Sequence, residues 1–393
     1  MEKKIIHLTF RGYENYFPNK DDPNFYLGGW ATLQAKSAAK YSIDIKQEVW
    51  RPEYETDKIE TSCIQNVKGR LFPYKKFGKK YHLNPLSLLR ELKLECKKKH
   101  VVINLHYMHN ISSLLILFLF KKYPIFIHHH GSIPFRYRNN KKGAKKIFNK
   151  LLIKIDEYLL KNVDYFSVIS KTEKEYLESF VGTKNVILEQ GRKYYADYKP
   201  IAKCEARKKL GLPLDKKIMI YVGYYYKLKG VDALLKTYSK LKKEYDIQLL
   251  MVGGNPDNEL YDEVIKSGAF DFGIVENKNL ALYYSASDVY VLYSDNDNLV
   301  KFGGFGTAPI EAMACNIPIV STQLVHFPNE DWKRVGEIPK NQEDLFYCIK
   351  KVLENPNSYT PRKTSKIYYD LENIIKGNIQ IYKDLIRQYY FKE

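Results

Sequence analysis

Residues 303–322 read GGFGTAPIEAMACNIPIVST, and the order of residue types in that run suits ligand binding. Gly303, Gly304 and Gly306, with Phe305 among them, precede a helix-forming stretch that begins at Thr307. Glycines let backbone N–H groups close on an anion, and a helix N-terminus favours negative charge there. Glu311 falls about a turn into that helix, among small apolar residues. A carboxylate is costly in such surroundings unless it has a partner, and the hydroxyls of a sugar or ribose would serve. The plainer alternative is a Gly-rich loop before a packing helix, with Glu311 on its exposed side.

A second run, residues 216–241, reads KKIMIYVGYYYKLKGVDALLKTYSKL. An apolar strand stops at Gly223, a loop carries Tyr224, Lys227 and Lys229, and Gly230 opens an amphipathic helix. Loops that leave parallel strands for helices are where α/β sheets bind ligands, and a lysine there suits a phosphate. A lone lysine is usually a solvated surface charge. That reading weakens only if the two loops meet at one site.

These elements sit in a recurring frame. Apolar, β-branched runs alternate with helix-period segments, the pattern of βα units around parallel sheets. The spacing predicts strands at 4–10, 101–106, 125–130, 165–169 and 185–189, then at 218–222, 248–252, 289–293 and 317–321. A chain of 393 residues suggests two domains at about 100–200 residues each. The stretch 191–200, GRKYYADYKP, breaks both periods and reads as a linker. Residues 365–392 carry one long amphipathic helical pattern, which could pack on the second domain or reach back across the linker to the first.

The glycine, the Lys-Gly pair six residues on, and some seventy residues later a GFG followed by EAMA together resemble the nucleotide-sugar half of retaining glycosyltransferases of family 4. Their fold is GT-B, two Rossmann-like α/β domains with parallel sheets facing a central cleft. Further matches are Gly28-Gly29 before a helix, His130-Gly131 at a strand end, and the segment from Ile187 to Pro200. The resemblance implies an acceptor-binding domain over 1–192, a nucleotide-sugar-binding domain over 193–365, and a C-terminal helix over 366–393.

Position by position, the resemblance makes Lys229 the cation that holds the donor diphosphate and stabilises the leaving group. Glu311 would bind the ribose hydroxyls, and His130 would sit near the donor sugar. Gly28 and Gly29 would allow close approach to the phosphates, and the backbone of Gly304, Phe305, Gly306 and Thr307 would face sugar or phosphate. Gly223, Tyr224 and Lys227 complete the donor loop. Two positions depart from the family: Tyr224 stands where a basic residue, commonly Arg, is usual, and Gly303 where a first glutamate is usual. Lys227, Lys301, Asp295, Asp297 or Asn298 could substitute from another angle. The implied activity is transfer of a sugar from a UDP- or GDP-linked donor to a carbohydrate or lipid-linked acceptor in surface polysaccharide or glycolipid synthesis. A nucleotide-sugar-binding pseudoenzyme and a basic nucleic-acid-binding protein are the alternatives.

The formal net charge is +19. Residues 65–155 hold 21 Lys and Arg against 2 acidic residues, and the rest of the chain balances at 43 of each. So much local like charge calls for an anionic partner or a heavily solvated face. Residues 139–160, with Lys141, Lys142, Lys145 and Lys146, read as a basic amphipathic helix with Ile147, Leu151, Leu152, Ile155 and Leu159 on one side. It suits either an anionic membrane surface or an acceptor bound to one. No zinc-finger, RNP-like or helix-turn-helix pattern accompanies the charge, so nucleic acid is not expected.

The five scattered cysteines show no metal-ligand spacing and read as reduced thiols. His128, His129 and His130 could ligate a metal, but strand alternation sends neighbours to opposite faces, so no metal and no cofactor is expected. The longest apolar run, Leu114 to Phe120, is far short of the roughly 20 residues of a spanning helix. The expected location is the cytoplasm, including the cytoplasmic face of a membrane.

Overall fold

In the computed structural model, the structure describes residues 1–10, 29–53, 56–74, 85–138, 144–183, 185–189, 198–295, 301–302, 306–322 and 329–391. The chain divides into two compact units, Met1–Glu189 with Glu372–Glu393, and Gln190–Leu371.

The first unit is built on an eight-stranded sheet: β1 (Lys3–Thr9), β2 (Ile45–Glu53), β3 (Glu60–Ile64), β4 (Val67–Pro73), β5 (His100–His106), β6 (Ile125–His128), β7 (Tyr165–Val168) and β8 (Val186–Leu188). Their spatial order is β3-β4-β2-β1-β5-β6-β7-β8, parallel throughout except for the β3–β4 pair. The chain fills one side of β1 and then crosses to β5 on the other, so the topological switch point lies between β1 and β5.

Strands β2 to β4 have no counterpart among the predicted strands. Gln47, Glu48, Arg51 and Glu53 make β2 look polar, yet all four are buried. Pairing holds them: Lys4 Nζ donates to Glu48 at 2.7 Å and Glu95 at 2.6 Å, and Arg51 pairs with Glu53 at 3.1 Å.

Period-two alternation splits the central strands into two faces. On one face Ile6, Leu8, Ile103, Leu105 and Ile127 join the main core. On the other, Ile5, Val102 and Phe126 meet Tyr382, Leu385 and Ile386 of the C-terminal helix Leu371–Tyr390. Tyr389 Oη donates to Asp164 at 2.8 Å and Tyr390 Oη to the Val101 carbonyl at 2.8 Å, which ties that helix to the first sheet. The single helix predicted over 365–392 is thus two, because the backbone leaves helical geometry at Asp370 (ψ 104°) after helix Pro361–Tyr369. The earlier helix stays in the second unit, where Arg362 donates to the Tyr198 carbonyl at 2.8 Å.

The second unit carries an all-parallel sheet of β9 (Lys217–Val222), β10 (Ile247–Val252), β11 (Phe270–Asp271), β12 (Val289–Leu292), β13 (Ile319–Ser321) and β14 (Gly336–Glu337). Its order is β11-β10-β9-β12-β13-β14, which puts the switch point between β9 and β12. Among the described residues no helix is long and apolar enough to cross a membrane.

Candidate functional site

The loop after β9 opens at Gly223, whose φ of 152° favours glycine. Tyr224 is exposed, and its carbonyl accepts from Tyr221 Oη at 2.8 Å. Tyr225 turns inward as an anchor: its hydroxyl donates to Asp271 at 2.6 Å and its N–H to Asn258 Oδ1 at 3.1 Å. A 3-10 turn, Lys227–Lys229, then delivers the chain to Gly230 in the left-handed region (φ 68°).

At that point the two loops flanking the switch point meet. A Cβ placed on Gly230 would lie 1.7 Å from the Tyr293 carbonyl oxygen, just beyond β12. Ser294 Oγ donates to the Leu228 carbonyl at 2.9 Å, and the Ser294 N–H donates to Thr322 Oγ1 at 2.7 Å. The loops after β9, β12 and β13 are thereby fastened into one rim. Lys227 is exposed and leans toward Glu259, its ammonium 4.0 Å from the carboxylate.

Lys229 differs from Lys227. It is half-buried, and among the described residues no hydrogen bond or ion pair engages its ammonium. Burial lowers its pKa from the ordinary lysine value. A desolvated cation without a counter-charge at a sheet's switch point is poised for an incoming anion.

Glu311 lies on helix Ala308–Ala314, with Pro309 in the first turn, where the missing N–H does no harm. It is buried, not on an exposed face. Tyr284 Oη donates to Glu311 Oε2 at 2.8 Å, and burial together with the Glu311 charge holds the Tyr284 phenol well above its usual pKa. Reading the sequence alone missed Tyr284, which lies 27 residues from its partner. Gly306 adopts φ 68° and Thr307 precedes the helix. Gly303, Gly304, Phe305, Asp297 and Asn298 lie outside the described residues, whereas Asp295 and Lys301 lie within them.

In the first unit Gly29, at φ 86°, opens helix Trp30–Tyr41, while Gly28 lies outside the described residues. His130 follows β6 at the C-terminal edge of the sheet. The face that is apolar at Ile5, Val102 and Phe126 becomes polar further along the same strands, at His7, Asn104, His106 and His128. His106 Nδ1 lies 2.8 Å from His130 Nε2, and His106 Nε2 lies 3.0 Å from His7 Nδ1. The His106 and His130 rings stack at 5.1 Å with an interplanar angle of 7°.

Tyr107 takes φ 83° directly after β5, with its ring 5.2 Å from that of His130. Left-handed backbone at a non-glycine residue is strained and tends to mark functional edges. His129 alternates to the opposite face, where its Nε2 lies 3.1 Å from Glu173, beside the buried pair of His109 with Asp156 at 2.6 Å. Among the described residues no group of three or more His, Cys, Asp or Glu is arranged to hold a metal ion.

Of the predicted membrane-facing lysines, Lys141 and Lys142 lie outside the described residues, Lys145 is within helix Ala144–Leu160, and Lys146 is exposed on it. The predicted single apolar side of this helix is divided. Leu159 is buried and Leu152 packs against the core, whereas Ile147, Leu151 and Ile155 are exposed, together with Phe148 and Tyr158.

Comparison with known proteins gives consistent matches. Residues 202–366 match the family model "Glycosyl transferases group 1" and residues 44–188 the model "Glycosyltransferase Family 4". An uncharacterized glycosyltransferase of Methanocaldococcus jannaschii is 29% identical over 69% of this chain and 68% of its own length. The D-inositol 3-phosphate glycosyltransferase of Xylanimonas cellulosilytica is 30% identical over 31% of this chain and 30% of its own. In structure the chain is similar to sucrose-phosphate synthase from Thermosynechococcus elongatus, with a TM-score of 0.72, 19% identity and coverage of 98% of this chain and 100% of that one. It is also similar to Anabaena HepE in complex with UDP, with a TM-score of 0.66, 14% identity and coverage of 97% and 100%.

Proposed function

This chain belongs to the family 4 glycosyltransferases and has their GT-B fold, and from that premise we propose that it transfers a sugar from a nucleotide diphosphate donor with retention of configuration. The observation that carries the donor class is Lys229. Its half-buried ammonium, at the junction of the loops that follow β9 and β12, has the charge and the position to take a diphosphate. Glycosyl transfer builds negative charge on the departing diphosphate, and a fixed cation stabilises that charge as it grows. Glu311, held by Tyr284, is oriented to accept hydrogen bonds from ribose hydroxyls. His130 meets the donor sugar, and Gly28 and Gly29 let backbone approach the phosphates.

The acceptor hydroxyl attacks from the face that the nucleotide leaves, with no covalent enzyme nucleophile. No residue in the Gly-rich loops offers the acidic pair typical of a metal-bound diphosphate, so transfer is expected to continue in EDTA. UDP is the first nucleotide to test, since the structurally similar HepE is seen with UDP and with UDP-glucose. The acceptor is a glycan or lipid-linked glycan at a membrane surface. The exposed Ile147, Phe148 and Leu151 on a lysine-bearing helix support that reading.

The test is a thermal-shift and transfer screen against UDP-, GDP-, ADP- and TDP-sugars with lipid-linked acceptors. One donor should raise Tm and be consumed, and the product should keep the donor's anomeric configuration. A protein that neither binds nor turns over any of them does not have this function.

A further inference from the structure

A cavity of about 770 Å³ opens at the end of the first sheet where the strands begin, and it lies wholly within the first unit. Lys3 of β1 and Asp44, just before β2, form one side, and Lys383, Ile386, Arg387 and Phe391 from the C-terminal helix and its end form the other. The switch-point crevice lies beyond the opposite ends of these strands, about 20 Å away along the seven residues of β1. The volume falls within the roughly 300–1,000 Å³ of small-molecule sites.

Three of the lining groups are cations and one, Asp44, is a carboxylate. The neighbouring carboxylates are already engaged. Glu2 accepts from Lys46 at 2.6 Å and lies 2.9 Å from Lys99, while Glu95 accepts from Lys4 at 2.6 Å. Asp44 accepts from Ser42 Oγ at 2.9 Å and lies 3.9 Å from Lys3, and Asp384 accepts from Gln380 at 3.0 Å. Among the described residues no hydrogen bond or ion pair engages Lys383 or Arg387. Spaced i and i+4 on the helix Leu371–Tyr390, they stand one turn apart on one side of it. The field there is positive: after the Ser42 hydrogen bond, Lys383 and Lys3 also lower the Asp44 pKa.

The wall behind Phe391 holds a further open group. Lys3 and His100 are register partners on β1 and β5, so their side chains leave the same face of the sheet. The His100 ring stacks on Tyr390 at 4.7 Å and meets Phe391 edge-on at 4.7 Å. His100 is buried, and its Nδ1 has no hydrogen-bond partner among the described residues. A buried polar atom without a partner is costly, and a ligand oxygen beside it would offset that cost.

We propose that this cavity binds an organic phosphate, with the phosphate on Lys3, Lys383 and Arg387 and the apolar part of the ligand against Ile386 and Phe391. The Arg387 guanidinium offers a fork that matches two phosphate oxygens. Inorganic phosphate leaves the apolar wall uncovered, so an ester binds more tightly. A soluble phosphate ester and a phospholipid headgroup share this chemistry.

The experiment is calorimetric titration of the full chain with phenyl phosphate and with inorganic phosphate, UDP being present throughout to occupy a nucleotide site. One equivalent of phenyl phosphate should bind, at least tenfold more tightly than inorganic phosphate. Lys383→Gln with Arg387→Gln should weaken phenyl phosphate at least tenfold, and Phe391→Ser should narrow the gap between the two probes. Asp44→Asn, which removes the lining carboxylate, should tighten both. Cosedimentation with phosphatidylcholine vesicles, with and without phosphatidic acid, tests the lipid source: a loss in the double variant confined to phosphatidic acid puts a headgroup in the cavity. Lys240→Gln with Lys266→Gln removes equal charge from exposed positions of the second unit and should bind as wild type. A wild type that binds neither phenyl phosphate nor phosphatidic acid overturns the proposal, as does a folded double variant that binds both as wild type does. Neither outcome depends on Lys229 or on the donor.

Discussion

The Tyr284 hydroxyl donates a 2.8 Å hydrogen bond to Glu311 Oε2 in the interior of the second unit, joining helix Leu280–Ala286 to helix Ala308–Ala314. A buried carboxylate loses part of its satisfaction and orientation when a neutral donor to it is removed. Tyr284→Phe should cost about 1–3 kcal/mol of stability, since it leaves Glu311 less satisfied without opening a large cavity. Affinity for free nucleoside diphosphate should weaken while turnover at saturating donor changes less. Calorimetric titration of nucleotide and a KM-against-kcat comparison check this. Unaltered nucleotide affinity in the folded variant would remove the ribose assignment of Glu311.

Lys229 makes a prediction of opposite sign for stability and activity. Its ammonium is partly desolvated, which lowers its pKa, and among the described residues it has no counter-charge. Lys229→Met keeps the aliphatic stem and removes the desolvated charge. Tm should hold or rise, while transfer falls by about tenfold or more. A variant that loses Tm and keeps its transfer rate would identify Lys229 as structural.

Gly230 cannot be replaced at its present place. It combines φ 68° with a Tyr293 carbonyl oxygen that a Cβ would approach to 1.7 Å. Gly230→Ala should push apart the loops after β9 and β12. The expected loss is about 1–3 kcal/mol for the backbone strain, with a further penalty for the displaced carbonyl. Denaturant unfolding measures the first and donor affinity the loss of the rim. Native-like values of both would contradict the contact.

Local spacing was enough to point to Lys229, Glu311 and their glycines, because each lies within a few residues of a strand end or a helix start. The alternation of apolar strands and helices likewise made two parallel-sheet α/β units legible. Strand β2 was not legible: its Gln47, Glu48, Arg51 and Glu53 hide a buried strand behind polar letters, and only pairing across the sheet satisfies them. Tyr284 and Asn104 were hidden for a related reason. Their partners lie 27 and 278 residues away, and no sequence period links Asn104 to Tyr382. His106 was visible as a residue at a strand end, but its bond to His130 depends on the register that sets His106 beside His128.

Glu189 gives the first unit a pH dependence. Burial pushes its carboxyl from an ordinary value near 4.5 up to about 7, against smaller opposing contributions from Ser167 and Asn378. The folded chain therefore keeps a proton that the unfolded chain releases. Stability falls as pH rises from about 4.5 to about 7 and levels off above that. Glu189→Gln removes this slope, so the Tm of the variant relative to wild type should climb between about pH 4.5 and about pH 7 and then level off. A constant difference across that range would show that Glu189 ionises normally.

Helix Ala144–Leu160 places Ile147, Leu151, Ile155 and Tyr158 along one exposed row and Lys146, Lys150 and Lys154 along the next. Ile147 is 73% exposed and Tyr158 68%, which is unusual for a helix whose Leu159 and Leu160 are buried. An apolar row beside a basic row is the arrangement that lies in a headgroup layer, the lysines reaching anionic lipid and the apolar side chains entering the interface. Each lysine near such a surface contributes about 1 kcal/mol. Neutralising Lys146, Lys150 and Lys154 together should weaken binding to phosphatidylcholine vesicles containing phosphatidylglycerol by roughly a hundredfold, with little effect on vesicles lacking it. Ile147→Ser with Leu151→Ser should weaken both, because apolar insertion does not depend on lipid charge. Neither variant touches the donor loops, so nucleotide-induced Tm shifts should stay as in wild type. Cosedimentation separates the outcomes: equal binding by all three proteins would assign the charge of residues 65–155 to a soluble anionic acceptor instead.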